Sequence, residues 1–350
     1  MTVRLFRPAS LGQGVRLLSV AAHVPSQVVR NEDLVARGAP LSAADMHKLT
    51  GILERRWALP HEAASDLGAA AGRLALDASG LSSADIQRLV VATVSPDHPS
   101  PSTACAIQHA LGMAPAPSFD VSAACSGFVY ALDASARAVA TGDQAVMAVA
   151  TDVRSRYLDV THRTTCALFG DGACAAVLAP GKVGEGILGM ALAADGRGVK
   201  SVHVPAGGSR RPASLETVRN KEHFIAMADG PEVYFQAVEG MLGMAEAVLS
   251  GLSLSFADIA CIAPHQANGR LLERLSKLGK FPSSKLLVNV DRYGNTAGAS
   301  CGIALSEALT TGRVRAGDLI LLLAAGGGYT AGAAVIACDD ALLENARFTP

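Results

Sequence analysis

A cysteine at the beginning of a predicted helix is the residue of this sequence whose type and setting best suit covalent chemistry. Cys125 lies between a strand-like segment, residues 119–124, and a small-residue helix predicted over 126–141, which Gly142 ends. Unpaired backbone N–H groups and the positive end of the helix dipole are expected to lower the pKa of a thiol there. Most free cysteines are structural, so Cys125 alone is a candidate nucleophile and no more.

Two residues of the second half of the chain could assist such a nucleophile. His265 follows the apolar segment 260–263, and a histidine at the exit of a buried strand can project into the crevice outside the strand ends. Asn295 lies in a Gly-Asn loop, for which the simplest interpretation is a turn. A lone histidine is most often solvated, so neither residue indicates a site by itself.

The sequence is internally repeated, and the repeat relates the loops that carry these residues. Residues 81–86 match residues 254–259, which places Asp258 173 residues after Asp85 (258 − 85). Each copy continues with apolar strands and a glycine-terminated helix, predicted at 89–94, 126–141 and 145–150 and again at 260–263, 301–311 and 319–325. Alternating strands and helices predict two α/β halves with a linker near residues 180–189. A pseudo-twofold axis between them could bring all three residues together.

Five short motifs occur in register along the chain: AACSG at 123–127, FGDGA at 169–173, HQAN at 265–268, GNT at 294–296 and GGGYT at 326–330. Together they resemble the motifs of β-ketoacyl-acyl-carrier-protein synthase III, a branch of the thiolase superfamily, and the resemblance extends from about Leu17 to Ala337. It implies the α/β thiolase fold, five-layered αβαβα, built from duplicated halves at residues 1–182 and 183–350. It also implies a homodimer and indicates a member from specialised metabolism.

The resemblance further implies a catalytic triad of Cys125, His265 and Asn295. The N–H groups of Cys125 and Gly327 would form the oxyanion hole for attack of the thiol on an acyl thioester. The acyl-enzyme would then be joined to a malonyl- or β-ketoacyl-type thioester in a decarboxylative Claisen condensation, with His265 and Asn295 stabilising the enolate. Because this chemistry uses only thioesters, no metal or redox cofactor is expected.

Three further residues are expected to bind substrate, and the sequence departs from the family's usual pattern near two of them. Arg163 matches an arginine that holds the adenine side of coenzyme A, but Asp45 and Leu49 replace the tryptophan and the arginine that usually hold the nucleotide end with it. Ser100 replaces a bulky residue that closes the acyl pocket at the dimer interface, and Phe169 belongs to the FGDGA motif. An acyl group larger than acetyl is therefore predicted, with weaker binding of coenzyme A.

The predicted helix after His265 carries basic residues that suit an acidic carrier protein. Its side chains include Arg270, Arg274 and Lys277, and Arg270 fits the family's docking arginine. A charge run is as readily explained as a solvated helix face, so the two interpretations are equally supported at this point. The expected partners are acyl carrier protein, coenzyme A thioesters, or both.

The composition excludes several classes of protein. Of 350 residues, 50% are hydrophobic and 17% charged, which excludes a disordered chain. The formal net charge is −1, so the protein as a whole has no electrostatic field that would attract nucleic acid. Apolar runs stay shorter than the roughly 20 residues that a membrane span needs. Seven cysteines without CxxC pairs and the lack of a signal-like segment predict a cytoplasmic protein, with the six cysteines other than Cys125 in the core.

Other functions remain open from the sequence. An acyltransferase would use the same triad, with His265 as general base, to pass the acyl group to an oxygen or nitrogen nucleophile. The spacing of Gly184, Gly186 and Gly189 matches the glycine motif of dinucleotide-binding proteins, but the strand, the helix and the acidic residue that accompany that motif are missing. A degradative thiolase would need a second late cysteine, and a non-catalytic partner subunit would be expected to lack the nucleophile.

Overall fold

The computed structural model of the protein describes residues 4–349. Within that range the chain forms fifteen strands and eleven α-helices. In chain order they are β1 Arg4–Phe6, β2 Gly14–His23, β3 Gln27–Arg30, α1 Asn31–Ala36, α2 Ala43–Thr50, β4 Glu54–Trp57, α3 Ala64–Ser79, β5 Arg88–Ala92, α4 Thr103–Ala110, β6 Ser118–Val121, α5 Gly127–Ala140, β7 Val146–Val153, β8 Asp171–Gly181, β9 Gly186–Ala193, β10 Val202–His203, α6 Leu215–Arg219, β11 Ala226–Met227, α7 Gly230–Gly251, β12 Cys261–Pro264, α8 Gly269–Gly279, α9 Val290–Tyr293, α10 Ser300–Thr310, β13 Leu319–Gly326, β14 Thr330–Ala337, α11 Asp340–Glu344 and β15 Ala346–Thr349.

Eleven strands form a mixed sheet of two similar parts, which meet where Val15 of β2 pairs with Gly186 of β9. The first part has the order β6-β5-β7-β8-β2-β15, and the second has the order β12-β13-β14-β9-β1. In each part a parallel pair, β5–β7 or β12–β13, is followed by two antiparallel pairs. The terminal strands exchange partners, since β1 pairs with β9 and β15 pairs with β2.

The repeat found in the sequence is reproduced in the positions of the elements. The starts of β5 and β12, of α5 and α10, and of β7 and β13 are each 173 residues apart (261 − 88, 300 − 127 and 319 − 146). The short segments before β5 and β12 are also built alike. Asp85 accepts the backbone N–H and the hydroxyl of Ser82, and Asp258 accepts the same two groups of Ser255.

Helices and sheets alternate in five layers, because both faces of each sheet are apolar. Helices α5 and α10 lie between the two parts of the sheet, α3 and α4 cover the outside of the first, and α7 and α8 cover the second. Side chains of β7 alternate between layers: Ala148 and Ala150 pack on the central helices, while Met147 and Val149 pack on α3. The predicted five-layered αβαβα fold is confirmed, and the layers explain the apolar strands.

Several local predictions differ from the structure. The segment 180–189 is mostly strand, and only residues 182–185 connect β8 to β9, so the predicted linker is a short turn. Cys105 is exposed on α4, whereas the other cysteines expected in the core are buried. In the described range, no helix combines the length and the apolar character needed to cross a membrane.

Candidate active site

Cys125 lies on a tight turn between β6 and α5, and the structure around it leaves little freedom. Ala124 has a φ of 48°, a left-handed conformation that is unusual for a residue with a Cβ. The Thr330 hydroxyl donates to the Ala123 carbonyl at 2.8 Å. A Cβ on Gly326 would lie 2.5 Å from the backbone nitrogen of Cys125, so only glycine allows the end of β13 to approach the turn this closely.

The environment of the thiol keeps it protonated. Burial raises the pKa of Cys125 to about 12, although the Arg154 guanidinium acts in the opposite direction. The expected lowering of this pKa at a helix N-terminus is therefore wrong for the free site, because loss of hydration dominates. The thiol of the free site is therefore neutral at physiological pH.

His265 is buried at the end of β12 and held by both its backbone and its ring. Its N–H donates to the Leu323 carbonyl at 2.7 Å, which continues the pairing of β12 with β13. Its Nδ1 lies 2.6 Å from the hydroxyl oxygen of Ser300, the first residue of α10. Burial lowers the pKa of His265 to about 4, so the imidazole is neutral at pH 7.

The Ser300 hydroxyl indicates which ring nitrogen carries the proton. Its oxygen accepts the backbone N–H of Gln266 at 3.3 Å, and among the described residues its own proton reaches no acceptor other than Nδ1 of His265. When the hydroxyl donates to Nδ1, the imidazole proton is on Nε2. His265 is then a hydrogen-bond donor through the nitrogen that Ser300 does not contact.

The side-chain amide of Asn295 is held in place through its oxygen, which accepts a hydrogen bond within the same loop. Its Oδ1 accepts the N–H of Ala297 at 2.9 Å, while its backbone N–H donates to the Leu168 carbonyl at 2.8 Å. The Nδ2 group stays available as a donor. The expected turn is therefore present, and it also orients the side chain.

A buried carboxylate joins the loops of the two halves. Asp152, at the end of β7, accepts the N–H of Val94 through Oδ1 and the N–H of Gly298 through Oδ2, both at 2.9 Å. Burial raises its pKa, which these hydrogen bonds and Arg154 oppose. Asp152 thus connects the end of β5 to the loop that carries Asn295.

One cavity of about 1020 Å³ brings the three candidate catalytic residues together. Cys125, His265 and Asn295 all line it, as do Gly327 and four residues near its wall or mouth: Leu49, Arg163, Phe169 and Asn268. Phe169 is buried and Arg163 is exposed. The volume is in the range of small-molecule sites and is lined largely by apolar atoms.

Other predicted site residues lie outside this cavity. Ser100 is exposed on the surface and lines no part of the cavity of its own chain. Arg270, Arg274 and Lys277 are exposed on α8, whose first turn borders the cavity through Leu271. The Arg270 guanidinium donates to the Lys48 carbonyl at 2.7 Å, so this arginine also joins α8 to α2.

Three residues that matter to the site were not selected from the sequence. Arg154 lines the cavity directly after β7, Ser300 contacts His265, and Thr330 holds the turn before Cys125. A charged residue at the carboxyl end of the predicted strand 145–150 was a signal for Arg154. Thr330 ends the GGGYT motif, but its contact with Ala123 depends on the meeting of the halves, and the contact of Ser300 with His265 depends on the distance between two loops of the second half.

The comparisons with known proteins agree with this geometry. Residues 249–338 match the family described as 3-oxoacyl-[acyl-carrier-protein (ACP)] synthase III C terminal, and residues 119–196 match 3-oxoacyl-[acyl-carrier-protein (ACP)] synthase III. A beta-ketoacyl-[acyl-carrier-protein] synthase III of Symbiobacterium thermophilum is 42% identical over 321 residues, which cover 91% of this chain and 96% of the relative.

Solved structures give the same result. The 3-oxoacyl-[acyl-carrier-protein] synthase III of Aquifex aeolicus VF5 superposes with a TM-score of 0.84 and 33% identity, covering 93% of this chain and 100% of the other. The priming β-ketosynthase of the R1128 polyketide biosynthetic pathway also has a TM-score of 0.84, with 32% identity, covering 93% and 96% of the two chains. The similarity extends over nearly the whole of each compared chain.

Proposed function

The chain belongs to the β-ketoacyl-acyl-carrier-protein synthase III family. From that premise we propose which of its residues act in each step of the condensation. An enzyme of this family forms an acyl thioester on a cysteine and joins the acyl group to a malonyl-type thioester. We assign the nucleophile to Cys125 and the stabilisation of the enolate to His265 and Asn295. The observation that carries this assignment is their convergence on one cavity.

In the first step, Cys125 takes the acyl group. Its sulfur attacks the thioester carbonyl, the bond from that carbon to the donor sulfur breaks, and the thiol proton passes to the departing thiolate. The N–H groups of Cys125 and Gly327 stabilise the intermediate oxyanion, and the beginning of α5 favours the developing charge on sulfur. A thiol with a pKa of about 12 remains neutral until substrate arrives.

In the second step, a malonyl-type thioester loses CO₂. The carbon–carboxylate bond breaks and its electron pair forms an enolate, whose oxygen accepts hydrogen bonds from Nε2 of His265 and Nδ2 of Asn295. The enolate carbon attacks the acyl carbonyl, and the sulfur of Cys125 leaves and is reprotonated by solvent. The pair from the broken carbon–carboxylate bond forms the new carbon–carbon bond, and the pair from the acyl–sulfur bond returns to Cys125. No oxidation or reduction occurs, so we propose that no metal or redox cofactor takes part.

The tautomer of His265 favours condensation over acyl transfer to a heteroatom. In the tautomer that we assign, the Ser300 hydroxyl donates to Nδ1, and the proton on Nε2 makes that nitrogen a donor. An acyltransferase would need an unprotonated nitrogen at the same position to activate an alcohol or amine. The geometry therefore supports the ketosynthase better.

The experiment is to incubate the enzyme with acyl-CoA and acyl-carrier substrates, with and without malonyl-carrier, and to measure the intact mass. We expect an acyl adduct on Cys125 that disappears with release of CO₂ when malonyl-carrier is added. The Cys125→Ala variant should fold and gain no adduct. An adduct on that variant, or discharge only to an added alcohol or amine, would refute the proposal.

We also propose a homodimer that accepts acyl groups larger than acetyl. Strand β6 is paired only with β5 in the described range, and Phe119 on it is 39% exposed, as suits an edge that joins a second copy. Ser100, exposed in the single chain, would then reach the partner's acyl pocket. Light scattering of the purified protein tests the dimer, and acylation clearly fastest with acetyl would contradict the size prediction.

The acyl donors proposed for this chain are carrier-protein and coenzyme A thioesters, as the names of its relatives indicate for the carrier. Leu49 and Arg163 line the cavity, so these two residues would meet the nucleotide end of coenzyme A. Arg274 and Lys277 on α8 would attract an acidic carrier. The cytoplasmic location remains a prediction from the cysteine content.

A further inference from the structure

One wall of the cavity contains a cation that the proposed condensation does not use. Arg154 directly follows β7, lines the cavity together with Cys125, and is only 7% exposed. Its Nη1 donates to the Val94 carbonyl at 3.2 Å. Nε is enclosed without a hydrogen-bond partner, and Nη2 donates to none of the residues described. The guanidinium, which has five N–H donors, therefore makes one hydrogen bond to the described residues.

Arg154 has no carboxylate of the described chain within ion-pair distance. Asp152, two residues earlier, interacts with it electrostatically, but the oxygens of that carboxylate accept hydrogen bonds from Val94, Ser95 and Gly298 and from no atom of the guanidinium. The guanidinium instead lies 5.3 Å from the ring centroid of Tyr157 and 5.7 Å from that of Phe169. Buried cations are usually paired, and one that borders a ligand cavity without a partner points to an anionic ligand.

We propose that Arg154 binds a carboxylate at the far end of the acyl group on Cys125, so that the enzyme loads mono-thioesters of short dicarboxylic acids. The proposal rests on the proposed function, because it names the acyl group that the same site accepts. Nε and Nη2 form one edge of the guanidinium, and two parallel N–H groups on one edge match the two oxygens of a carboxylate. Val94 holds the opposite side of the group.

The malonyl substrate also carries a carboxylate, but it fits Arg154 less well. That carboxylate must leave as CO₂, and a bidentate ion pair would stabilise it in the ground state and slow its loss. A carboxylate on the acyl group stays charged throughout both steps. Its pairing with Arg154 would hold the acyl group in place without opposing the reaction.

The acyl preference of Cys125 tests the proposal. Acylation rates are measured by intact mass with succinyl-CoA and glutaryl-CoA against butyryl-CoA and pentanoyl-CoA, which have the same chain lengths without the carboxylate. We expect the better of the two anionic donors to react at least about 10-fold faster than its neutral counterpart. In the Arg154→Met variant this preference should reverse, while Arg154→Lys, which keeps the charge without the two-donor edge, should retain part of it.

The control is Arg156→Met. Arg156 is also an arginine after β7, but its guanidinium donates to the carbonyls of Leu59 and Glu62 and does not line the cavity. This variant should keep the preference of the wild-type enzyme. A thermal unfolding scan shows whether Arg154→Met is folded, and Arg154→Lys provides the comparison if it is not.

Two results would overturn the proposal. The first is a wild-type preference for the neutral donors. The second is an equal loss with all donors in Arg154→Met, together with a shift in the pH profile of Cys125 alkylation by iodoacetamide, which would show that Arg154 only supports the thiolate. If no acyl thioester of either kind modifies Cys125, the proposed function itself fails, whereas loading by neutral donors alone contradicts only the role of Arg154.

Discussion

The two halves of the molecule have the same backbone at the site but different side chains. The turn before α5 has Ala124 at a φ of 48°, and the turn before α10 has Ala297 at a φ of 46°, 173 residues later (297 − 124). The same offset pairs Cys125 with Gly298. A Cβ on Gly298 would lie 3.1 Å from both the Ala124 carbonyl oxygen and Oδ2 of Asp152, so a second cysteine at this position would be crowded by both groups.

A second pair of equivalent positions also has the same backbone and different side chains in the two halves. Ala92 and Gly127 of the first half correspond to His265 and Ser300 of the second. A Cβ on Gly127 would lie 3.0 Å from the Cβ of Ala92, and the equivalent contact in the second half is the hydrogen bond between Ser300 and His265. The same backbone arrangement therefore allows close packing in the first half and positions an imidazole in the second.

Changing His265 to the alanine found at the equivalent position should give the largest effect. His265→Ala removes a donor to the enolate, and we expect condensation to fall by about 10²- to 10³-fold. Acylation of Cys125 should change by no more than a few-fold, because the first step does not use the imidazole. Stopped-flow acylation and steady-state condensation measure the two steps. Equal losses in both would contradict the assignment of the nucleophile to the first half and of enolate stabilisation to the second.

The same variant should change how stability depends on pH. The pKa of His265 is lowered from 6.5 to about 4 in the folded chain, so between these values the unfolded state binds more protons. The wild-type free energy of unfolding should therefore rise with pH across that window, with a contribution from this residue of about 3 kcal/mol. Urea unfolding of wild type and His265→Ala at pH 4.5 and 7 measures it, and identical pH slopes would contradict the buried neutral imidazole.

Changing Ser300 to the glycine of the first half should have a smaller effect. Ser300→Gly leaves His265 in place but removes the hydroxyl that donates to Nδ1, so both tautomers become populated. We expect about a 10-fold loss of condensation, in the range of a lost hydrogen bond to a catalytic group. Ser300→Thr, which restores a hydroxyl, should recover activity. Nitrogen-15 chemical shifts of the imidazole report the tautomer, and an unchanged spectrum in Ser300→Gly would refute the positioning role.

The outer helices provide the smallest of the predicted differences. Helix α8 carries Arg274 and Lys277 beside the cavity, whereas α4, its counterpart on the first half, contains no lysine or arginine. Reversing both charges in Arg274→Glu/Lys277→Glu should raise the KM for carrier-bound substrate by about 3- to 10-fold, with no change for coenzyme A thioesters. Arg270 is left unchanged because it also joins α8 to α2. Equal effects on both substrates would contradict docking.

The repeat in the sequence was sufficient to predict two α/β halves and equivalent strand ends, and the resemblance of five motifs to a known family implied the five-layered fold and the meeting of the main residues. The ends of α5 and α10 follow directly from Gly142 and Gly312. Contacts between individual loops, within a half as well as between the halves, could not be predicted in this way. The hydrogen bond of Ser300 depends on the distance between two loops, and the unpaired edge of Arg154 depends on which groups fail to reach it. Burial of Cys125, which reverses the expected pKa shift, likewise follows only from packing.

The division of labour between the halves is tested most directly by Asn295→Asp. This change keeps the oxygen that accepts the Ala297 N–H but replaces the amide donor with an acceptor. We predict that the variant forms the acyl adduct on Cys125 and retains it when malonyl-carrier is added, with CO₂ release reduced at least about 100-fold. Intact mass with trapping of CO₂ measures both. A variant that cannot be acylated, or that condenses at the wild-type rate, would contradict the account.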